Sequence, residues 1–244
     1  VGLFMGADME SILGGYQDPR IAKYWNTSKI TPGEYKGVRT GIVYPSGSTY
    51  SKFSQTGPRT KTGEITWMST AEVYFLRAEG ALRGWNMGGT AKDLYEDGIK
   101  ASFEQNGVEG AAAYSTDNTK LPKDYVDPLN PANNAQAISK ITVAWGTDKE
   151  KNLEKIITQK WIATYPDGQE AWSEFRRTGY PKLFRISNNQ SNGLISTELG
   201  VRRLAFSNSE VSNNKEGVAS GIAALGGLDN GATRLWWDTT APNF

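Results

Sequence analysis

Apolar residues recur at helical spacing in two neighbouring segments near the middle of the chain. In residues 69–84 they fall on one face, and Ser69 with Glu72 forms a capping box at the start. Residues 90–106 follow after a short glycine-rich turn, and Thr90 precedes a second stripe formed by Leu94, Tyr95, Gly98, Ile99, Ser102 and Phe103. Because the connecting turn is short, the two segments are predicted to form an antiparallel helical hairpin.

A second pair of helices is predicted further along the chain. Thr147 and Glu150 form a candidate capping box at the start of residues 148–165, whose apolar positions again repeat at helical spacing. Asp167, three residues before another glutamate, marks the start of residues 168–177. Since only a few residues separate the two segments, they are predicted to form a second antiparallel hairpin.

The remaining segments lack a clear helical period. Residues 1–66 contain scattered glycine, proline and aromatic residues, which predicts short elements in long loops. Residues 110–146 are rich in Asn, Asp, Pro and Thr and are interpreted as a long excursion between the hairpins. In the C-terminal segment, residues 182–244, a mostly irregular stretch leads to a final helix that begins at Asn213 or Asn214.

Composition limits the kinds of function. The chain has 244 residues and 38% hydrophobic content, which suffices to bury a core. Its 27 basic and 26 acidic side chains form no dense basic cluster, so nucleic acid is not expected as a partner. The absence of His and Cys excludes thiol nucleophiles, Ser-His-Asp triads, histidine bases and ordinary zinc sites. The longest apolar runs are far shorter than the roughly 20 residues needed to cross a bilayer.

Three stretches of the chain resemble the SusD/RagB family. The first is the hairpin that begins with AEVYFLRAEGA at 71–81, and the third runs from RRL at 202–204 to DNGATRLWWD at 229–238. The second, which is the most specific, combines QKWIA at 159–163, GQEAW at 168–172 and FRRTGYP at 175–181. Toward the start, Asp18-Pro19-Arg20 is also similar to the family's sequences.

The resemblance implies a mainly α fold of tetratricopeptide-like helical hairpins with long irregular loops, truncated at the N-terminus. We therefore expect residues 1–244 to form a single SusD-like C-terminal region. Within it, residues 1–66 are the loop-rich segment, residues 67–107 and 147–181 are the helical hairpins, and residues 182–244 are the C-terminal segment.

The resemblance also implies a function without catalysis. Proteins of this family are cell-surface lipoproteins of the outer membrane that capture a nutrient, here expected to be an oligosaccharide, and deliver it to a SusC-like TonB-dependent transporter. Residues 1–15 lack the basic region and cleavage site of a signal peptide, so the export signal and lipid anchor are expected upstream of this chain. No cofactor is implied.

Aromatic residues in the predicted loops are the candidate ligand-binding residues, because a flat ring beside polar donors can stack on the C–H face of a sugar. Aromatic residues at helical spacing are instead assigned to the core. The predicted site consists of Trp25, Tyr35, Tyr44, Tyr50 and Trp85, with Asn26, Arg39 and Asn86 as hydrogen-bonding neighbours. The acidic residues of the excursion do not match the spacing of an EF-hand loop, so no metal site is predicted.

Two other functions remain open. Tetratricopeptide-like hairpins often bind proteins along a concave face, so a protein-interaction scaffold without its own small-molecule ligand is the main alternative. A glycoside hydrolase is the second alternative, because it needs only two carboxylates at a set separation. No particular pair of Glu or Asp residues stands out in the sequence.

Overall fold

The chain divides into two compact units in the computed structural model, which describes residues 3–43, 46, 48–62 and 66–244. The first unit comprises Val1–Arg39, Tyr44–Phe184 and Asn243–Phe244, and the second comprises Thr40–Val43 and Arg185–Pro242. The second unit therefore takes in most of the C-terminal segment.

Helices account for the regular structure, and the described residues otherwise form only isolated β-bridges. The first unit contains α1 (Ala7–Tyr16), α2 (Ile21–Tyr24), α3 (Pro58–Thr62), α4 (Thr70–Leu82), α5 (Ala91–Gln105), α6 (Ala111–Ser115), α7 (Lys149–Ala163) and α8 (Gly168–Thr178), with a 3-10 turn at Pro131–Asn133. The second contains α9 (Asn208–Asn213) and α10 (Lys215–Leu225). In the described part of the chain, none of these helices has the length and apolar character needed to span a membrane.

Helices α4 and α5 form the first predicted hairpin, and their caps agree with the prediction. The Ser69 hydroxyl accepts a hydrogen bond from the Glu72 N–H at 3.1 Å, and the Thr90 hydroxyl accepts one from the Asp93 N–H at 3.1 Å. All six residues of the predicted α5 stripe are buried. The two helices approach closely at Gly98, where a Cβ atom would lie 2.7 Å from the Phe75 ring.

Helix α7 occupies the centre of the first unit, since it packs against both α4 and α5 and most of its residues are buried. Its start corrects the prediction: the N-cap is Asp148, whose carboxylate accepts from the Lys151 N–H at 2.9 Å, and not Thr147. The Asp167 cap of α8 is confirmed. Trp161, assigned to the core from its spacing, is only partly buried.

The four helices of the two hairpins are thus confirmed, with ends that differ from the prediction by at most two residues. Helix α8 is joined to α7 by Lys160, whose Nζ lies 2.5 Å from Glu170 Oε1 and 2.9 Å from Glu174 Oε1. In the last segment, the Asn214 side chain caps α10 by accepting from the Gly217 N–H at 3.2 Å. Of the two predicted caps for that helix, Asn214 is therefore the one used.

Helix α1 lies in the segment that was predicted to be mostly loop. It has no clear apolar stripe because most of its side chains are buried, polar ones included. The Glu10 carboxylate, for example, accepts from Lys36 Nζ and from the Gly37 N–H, both at 2.8 Å. A helix that is buried on several faces lacks the helical hydrophobic period on which the prediction relied.

Asp18 and Arg20, which belong to the sequences that resemble the family, lie in a buried network. Arg20 and Asp18 form a fully buried ion pair with Nη2 and Oδ2 at 2.5 Å. The Arg20 guanidinium also donates to Ser102 Oγ of α5 and to Gln159 Oε1 of α7, both at 2.8 Å. Tyr114 of α6 donates to Asp18 at 2.6 Å. These bonds tie the N-terminal segment to three helices.

A second network holds α8 against α4. Arg177 donates to both carboxylate oxygens of Glu79, at 2.7 and 2.6 Å, and also to Glu174 at 2.5 Å. The neighbouring Arg176 lies over the Trp172 ring, with 3.5 Å from its guanidinium carbon to the ring centroid. Both arginines of the FRRTGYP motif therefore have partners within the protein, which explains them without a ligand.

Candidate functional site

Two of the predicted site aromatics are part of the core. Trp25 is only 6% exposed and packs against Tyr165, with ring centroids 5.1 Å apart. Tyr50 is 1% exposed and donates its hydroxyl to Asp127 at 2.9 Å while accepting from Asn133 Nδ2 at 3.0 Å. Both rings are therefore closed to solvent, because neighbouring segments of the chain cover them, and the binding role given to them stays a prediction.

Three further candidates from the N-terminal segment remain at least partly accessible. Asn26 is exposed and donates to the Thr56 carbonyl at 2.9 Å, and Tyr35 is half-buried. Arg39 is also half-buried and donates to the Asn133 carbonyl at 3.1 Å. Their role in ligand binding stays a prediction. Tyr44 lies outside the described residues.

Trp85 and Asn86 lie in the turn between α4 and α5. Trp85 is 62% exposed, and the Asn86 side-chain oxygen accepts from the Gly88 N–H at 3.3 Å. Their ligand-binding role is likewise still a prediction.

The acidic residues of the excursion are occupied by donors of the protein itself. Asp117 accepts from the backbone N–H and hydroxyl of Thr119 and from Lys120, and these bonds hold its pKa well below the usual range. Asp124 accepts from the Ala137 N–H at 2.8 Å. Among the described residues, no group of three or more His, Cys, Asp or Glu side chains is arranged to hold a metal ion.

A groove of about 310 Å³ lies in the first unit, at the start of α4. Its walls come from α3, from the residues that precede and begin α4, and from the end of α7 with the turn that follows. The side chains that bear on its chemistry are those of Arg59, Thr60, Trp67, Met68, Glu72, Tyr165 and Asp167. The volume is at the lower end of the range for small-molecule sites.

Trp67 and Met68 form the apolar part of the groove. Trp67 is 94% exposed and Met68 is 72% exposed, although both are large apolar side chains. They immediately precede the N-cap Ser69 and therefore lie outside the apolar stripe of α4. A flat ring in this position is available for stacking, as the buried ring of Trp25 is not.

The polar wall of the groove is held in place by contacts behind it. The Thr60 and Tyr165 hydroxyl oxygens lie 2.9 Å apart, and Arg59 Nε donates to the Tyr165 carbonyl at 3.2 Å. The Tyr165 ring packs against Tyr24, at 4.7 Å between centroids, and against Trp25. Trp25 thus supports a groove residue from the inside of the protein.

Carboxylates on the groove are also engaged with the fold. Asp167 accepts from the backbone N–H groups of Gln169 and Glu170, at 3.1 and 3.0 Å, as the cap of α8. Burial raises the pKa of Glu72, while Lys160, at 3.7 Å between Nζ and Oε1, opposes this shift. The groove therefore presents one guanidinium and two carboxylates, which gives it no excess of positive charge.

The sequence prediction did not include the groove residues. The available signal was that Trp67 and Met68, two large apolar residues, directly precede a capping box and lie outside any helical period. Arg59, Thr60 and Tyr165 carried no such signal, because nothing in their spacing along the chain shows that they meet.

The chain belongs to the SusD-like family. The family described as "Susd and RagB outer membrane lipoprotein" matches residues 3–238. The mainly helical fold with tetratricopeptide-like hairpins is that of SusD-like structures. The resemblance inferred from the three sequence stretches is thereby confirmed.

Solved structures of SusD homologues are closely similar to this chain. A chitin-binding SusD homologue from Flavobacterium johnsoniae shares 60% sequence identity at a TM-score of 0.95, over 99% of this chain and 50% of its own. A SusD homologue from Bacteroides vulgatus ATCC 8482 shares 43% identity at a TM-score of 0.92, over the same fractions. A SusD-like protein from Bacteroides thetaiotaomicron VPI-5482 shares 44% identity at 0.88, over 95% and 49%.

The chain spans about half the length of these solved structures. No curated protein matches it.

Proposed function

We propose that this protein captures an oligosaccharide at the cell surface, without cleaving it, and delivers it to a SusC-like TonB-dependent transporter of the outer membrane. The description of the family as outer-membrane lipoproteins supports this location.

The observation that carries the proposal is the similarity to the chitin-binding homologue, at 60% identity over 99% of this chain. The similarity extends through loops as well as helices, and loops are where ligand-binding residues are usually placed. Oligomers of N-acetylglucosamine are therefore the first ligand class to test.

The side chains of the groove do not favour a glycoside-hydrolase activity. The sequence contains no His or Cys, and the two carboxylates on the groove have partners within the fold. Asp167 is held as a helix cap and Glu72 lies beside Lys160. A glycosidase needs one carboxylic acid and one carboxylate placed on either side of a glycosidic bond, and these two side chains are committed to structural contacts instead.

Isothermal titration of the purified protein with chitohexaose tests the glycan-binding role. We expect saturable binding of chitohexaose and no release of reducing ends during a long incubation, with heat-denatured protein as the control. Reproducible release of reducing ends would establish a glycoside hydrolase instead. The absence of binding to chitohexaose and to a broad glycan array contradicts the glycan-capture role.

Purification of the tagged protein from detergent-solubilised outer membranes tests the transporter partner. We expect a TonB-dependent transporter to co-purify in stoichiometric amounts, and an unrelated outer-membrane lipoprotein with the same tag serves as the control. Co-purification without any glycan binding would favour the alternative of a protein-interaction scaffold.

A further inference from the structure

We infer that the groove at the start of α4 holds one sugar unit of the bound oligosaccharide, with the Trp67 ring as its stacking surface. This inference rests on the proposed function, and it assigns that function to residues outside the predicted loop site.

The Trp67 ring is suited to a sugar because it is both large and open. It is 94% exposed, whereas Trp25 and most other large rings of the first unit are buried or half-buried. A sugar presents a face of C–H groups and a rim of hydroxyls, so it needs an apolar surface beside hydrogen-bonding groups. Trp67 and Met68 provide the apolar surface, and Arg59 and Thr60 line the same groove.

The polar wall is already ordered without a ligand. Of the five N–H donors of a guanidinium, two in Arg59 are directed to the Tyr165 carbonyl and to Asn106 Oδ1, at 3.2 and 3.3 Å. The Thr60 hydroxyl is in contact with the Tyr165 hydroxyl. Because these contacts fix the side chains in place, a ligand does not have to pay for ordering them, and this favours binding.

The charges on the groove favour a neutral ligand. Arg59 supplies donors for sugar hydroxyls, and Glu72 and Asp167, which are held by Lys160 and by the start of α8, place two carboxylates beside it. An acidic sugar would meet two carboxylates against one guanidinium, so a neutral oligosaccharide of N-acetylated or simple hexose units fits this groove better.

Substitution of Trp67 tests the assignment, with chitohexaose as the titrated ligand. We expect Trp67→Ala to raise the Kd about fivefold or more, which corresponds to about 1 kcal/mol, and Trp67→Phe to recover part of the loss because it keeps a ring. Trp236→Ala is the matched control, since Trp236 is 89% exposed and belongs to the second unit. Its Kd is expected to stay within twofold of the wild-type value.

Thermal unfolding of the same variants separates binding from folding. A Kd that is unchanged in Trp67→Ala overturns the assignment, and so does a large fall in Tm, which would show that other parts of the full-length protein cover the ring. If chitohexaose binds the wild type but only the variants at Tyr35 or Trp85 lose affinity, the assignment of the sugar to the groove is wrong and the proposed function stands. If the wild type binds neither chitohexaose nor any neutral glycan on an array, the proposed function itself fails.

Discussion

Two regions of the first unit both contain arginine and tyrosine side chains but use them differently. Around Arg20 the arginine is fully buried, and its donors are directed to acceptors of the N-terminal segment, α5, α6 and α7. In the groove at the start of α4, Arg59 and Tyr165 are partly exposed and Trp67 is almost fully exposed. The polar groups around Arg20 are enclosed by protein, whereas those of the groove are exposed to solvent.

Residue type alone therefore does not mark a binding site. Trp25 and Trp67 are both tryptophans outside the helical stripes, yet one is covered by the Tyr165 ring and the other faces outward. We therefore expect substitutions of the buried side chains to reduce stability, and substitutions in the groove to reduce affinity.

The largest effect is expected for Arg20→Met, which leaves the buried Asp18 carboxylate without its ionic partner. Breaking a buried pair from one side costs about 3–5 kcal/mol of unfolding free energy, and the complete burial of both side chains places this pair toward the upper end. Urea denaturation measures the loss. The control is Arg185→Met, which breaks a surface pair with Glu198 and should cost less than about 1 kcal/mol.

A smaller loss of stability, about 3 kcal/mol, is expected for Trp25→Ala, because a cavity opens next to Tyr165. This loss is at the low end of the range for replacing a tryptophan. Trp25 Nε1 is buried without an acceptor among the described residues, so the removal of this unsatisfied donor offsets part of the cost of the cavity. The same denaturation experiment on Trp67→Ala should show a change within about 0.5 kcal/mol. Equal losses of unfolding free energy in Trp25→Ala and Trp67→Ala would contradict the distinction between the buried ring and the exposed one.

Asp8 tests whether a largely buried carboxylate weakens the first unit as the pH rises. Burial raises the pKa of Asp8 from 3.8 to about 6, although its carboxylate accepts from the Phe184 N–H at 2.6 Å and lies near Arg39. Because the pKa is higher in the folded state, protonated Asp8 favours folding below about pH 4, and this stability is lost as the pH rises through about 6.

The Asp8→Asn variant keeps an acceptor for the Phe184 N–H and carries no charge. Between about pH 4 and pH 7, we expect the wild type to lose about 2 kcal/mol of unfolding free energy relative to this variant. This is somewhat less than the free energy that corresponds to the full pKa difference, because some solvent reaches the carboxylate. Denaturation curves at several pH values measure the difference. Parallel pH profiles for the two proteins would contradict the expectation.

The smallest effects are expected at the accessible residues of the predicted loop site. Tyr35→Ala and Trp85→Ala should change the Kd for chitohexaose by no more than about twofold, which is less than about 0.5 kcal/mol. The reason is that neither ring is among the side chains that line the groove. A greater loss for Tyr35→Ala than for Trp67→Ala would place the ligand at the N-terminal loops instead.

Much of the fold could be predicted because it depends on neighbouring residues. The capping box at Ser69 and the cap at Asp167 act over three residues, and the stripe of α5 repeats along a single helix, so both can be recognised without a structure. Helix α1 could not be recognised in this way, because its buried polar residues, such as Glu10, depend on partners from distant parts of the chain.

The candidate site was less predictable, because accessibility is a property of the packed molecule. Trp25 and Tyr50 were correctly placed outside the hairpin helices, but their burial arises from contacts with Tyr165 and Asp127, more than 70 positions away along the chain. Arg59, Thr60 and Tyr165 form one wall only because α3 and the end of α7 meet in the folded chain.

The family and the two hairpins could thus be recognised from the sequence, and the sequence also shows that this chain has no His or Cys. These follow from local caps, helical periods and composition. The tertiary structure decided which rings face solvent and which arginines are locked in ion pairs, because burial depends on segments that are distant along the chain. Arg20 and Arg59 belong to the same segment, yet only the packing of α5, α6 and α7 encloses the first, whereas the second lines a groove.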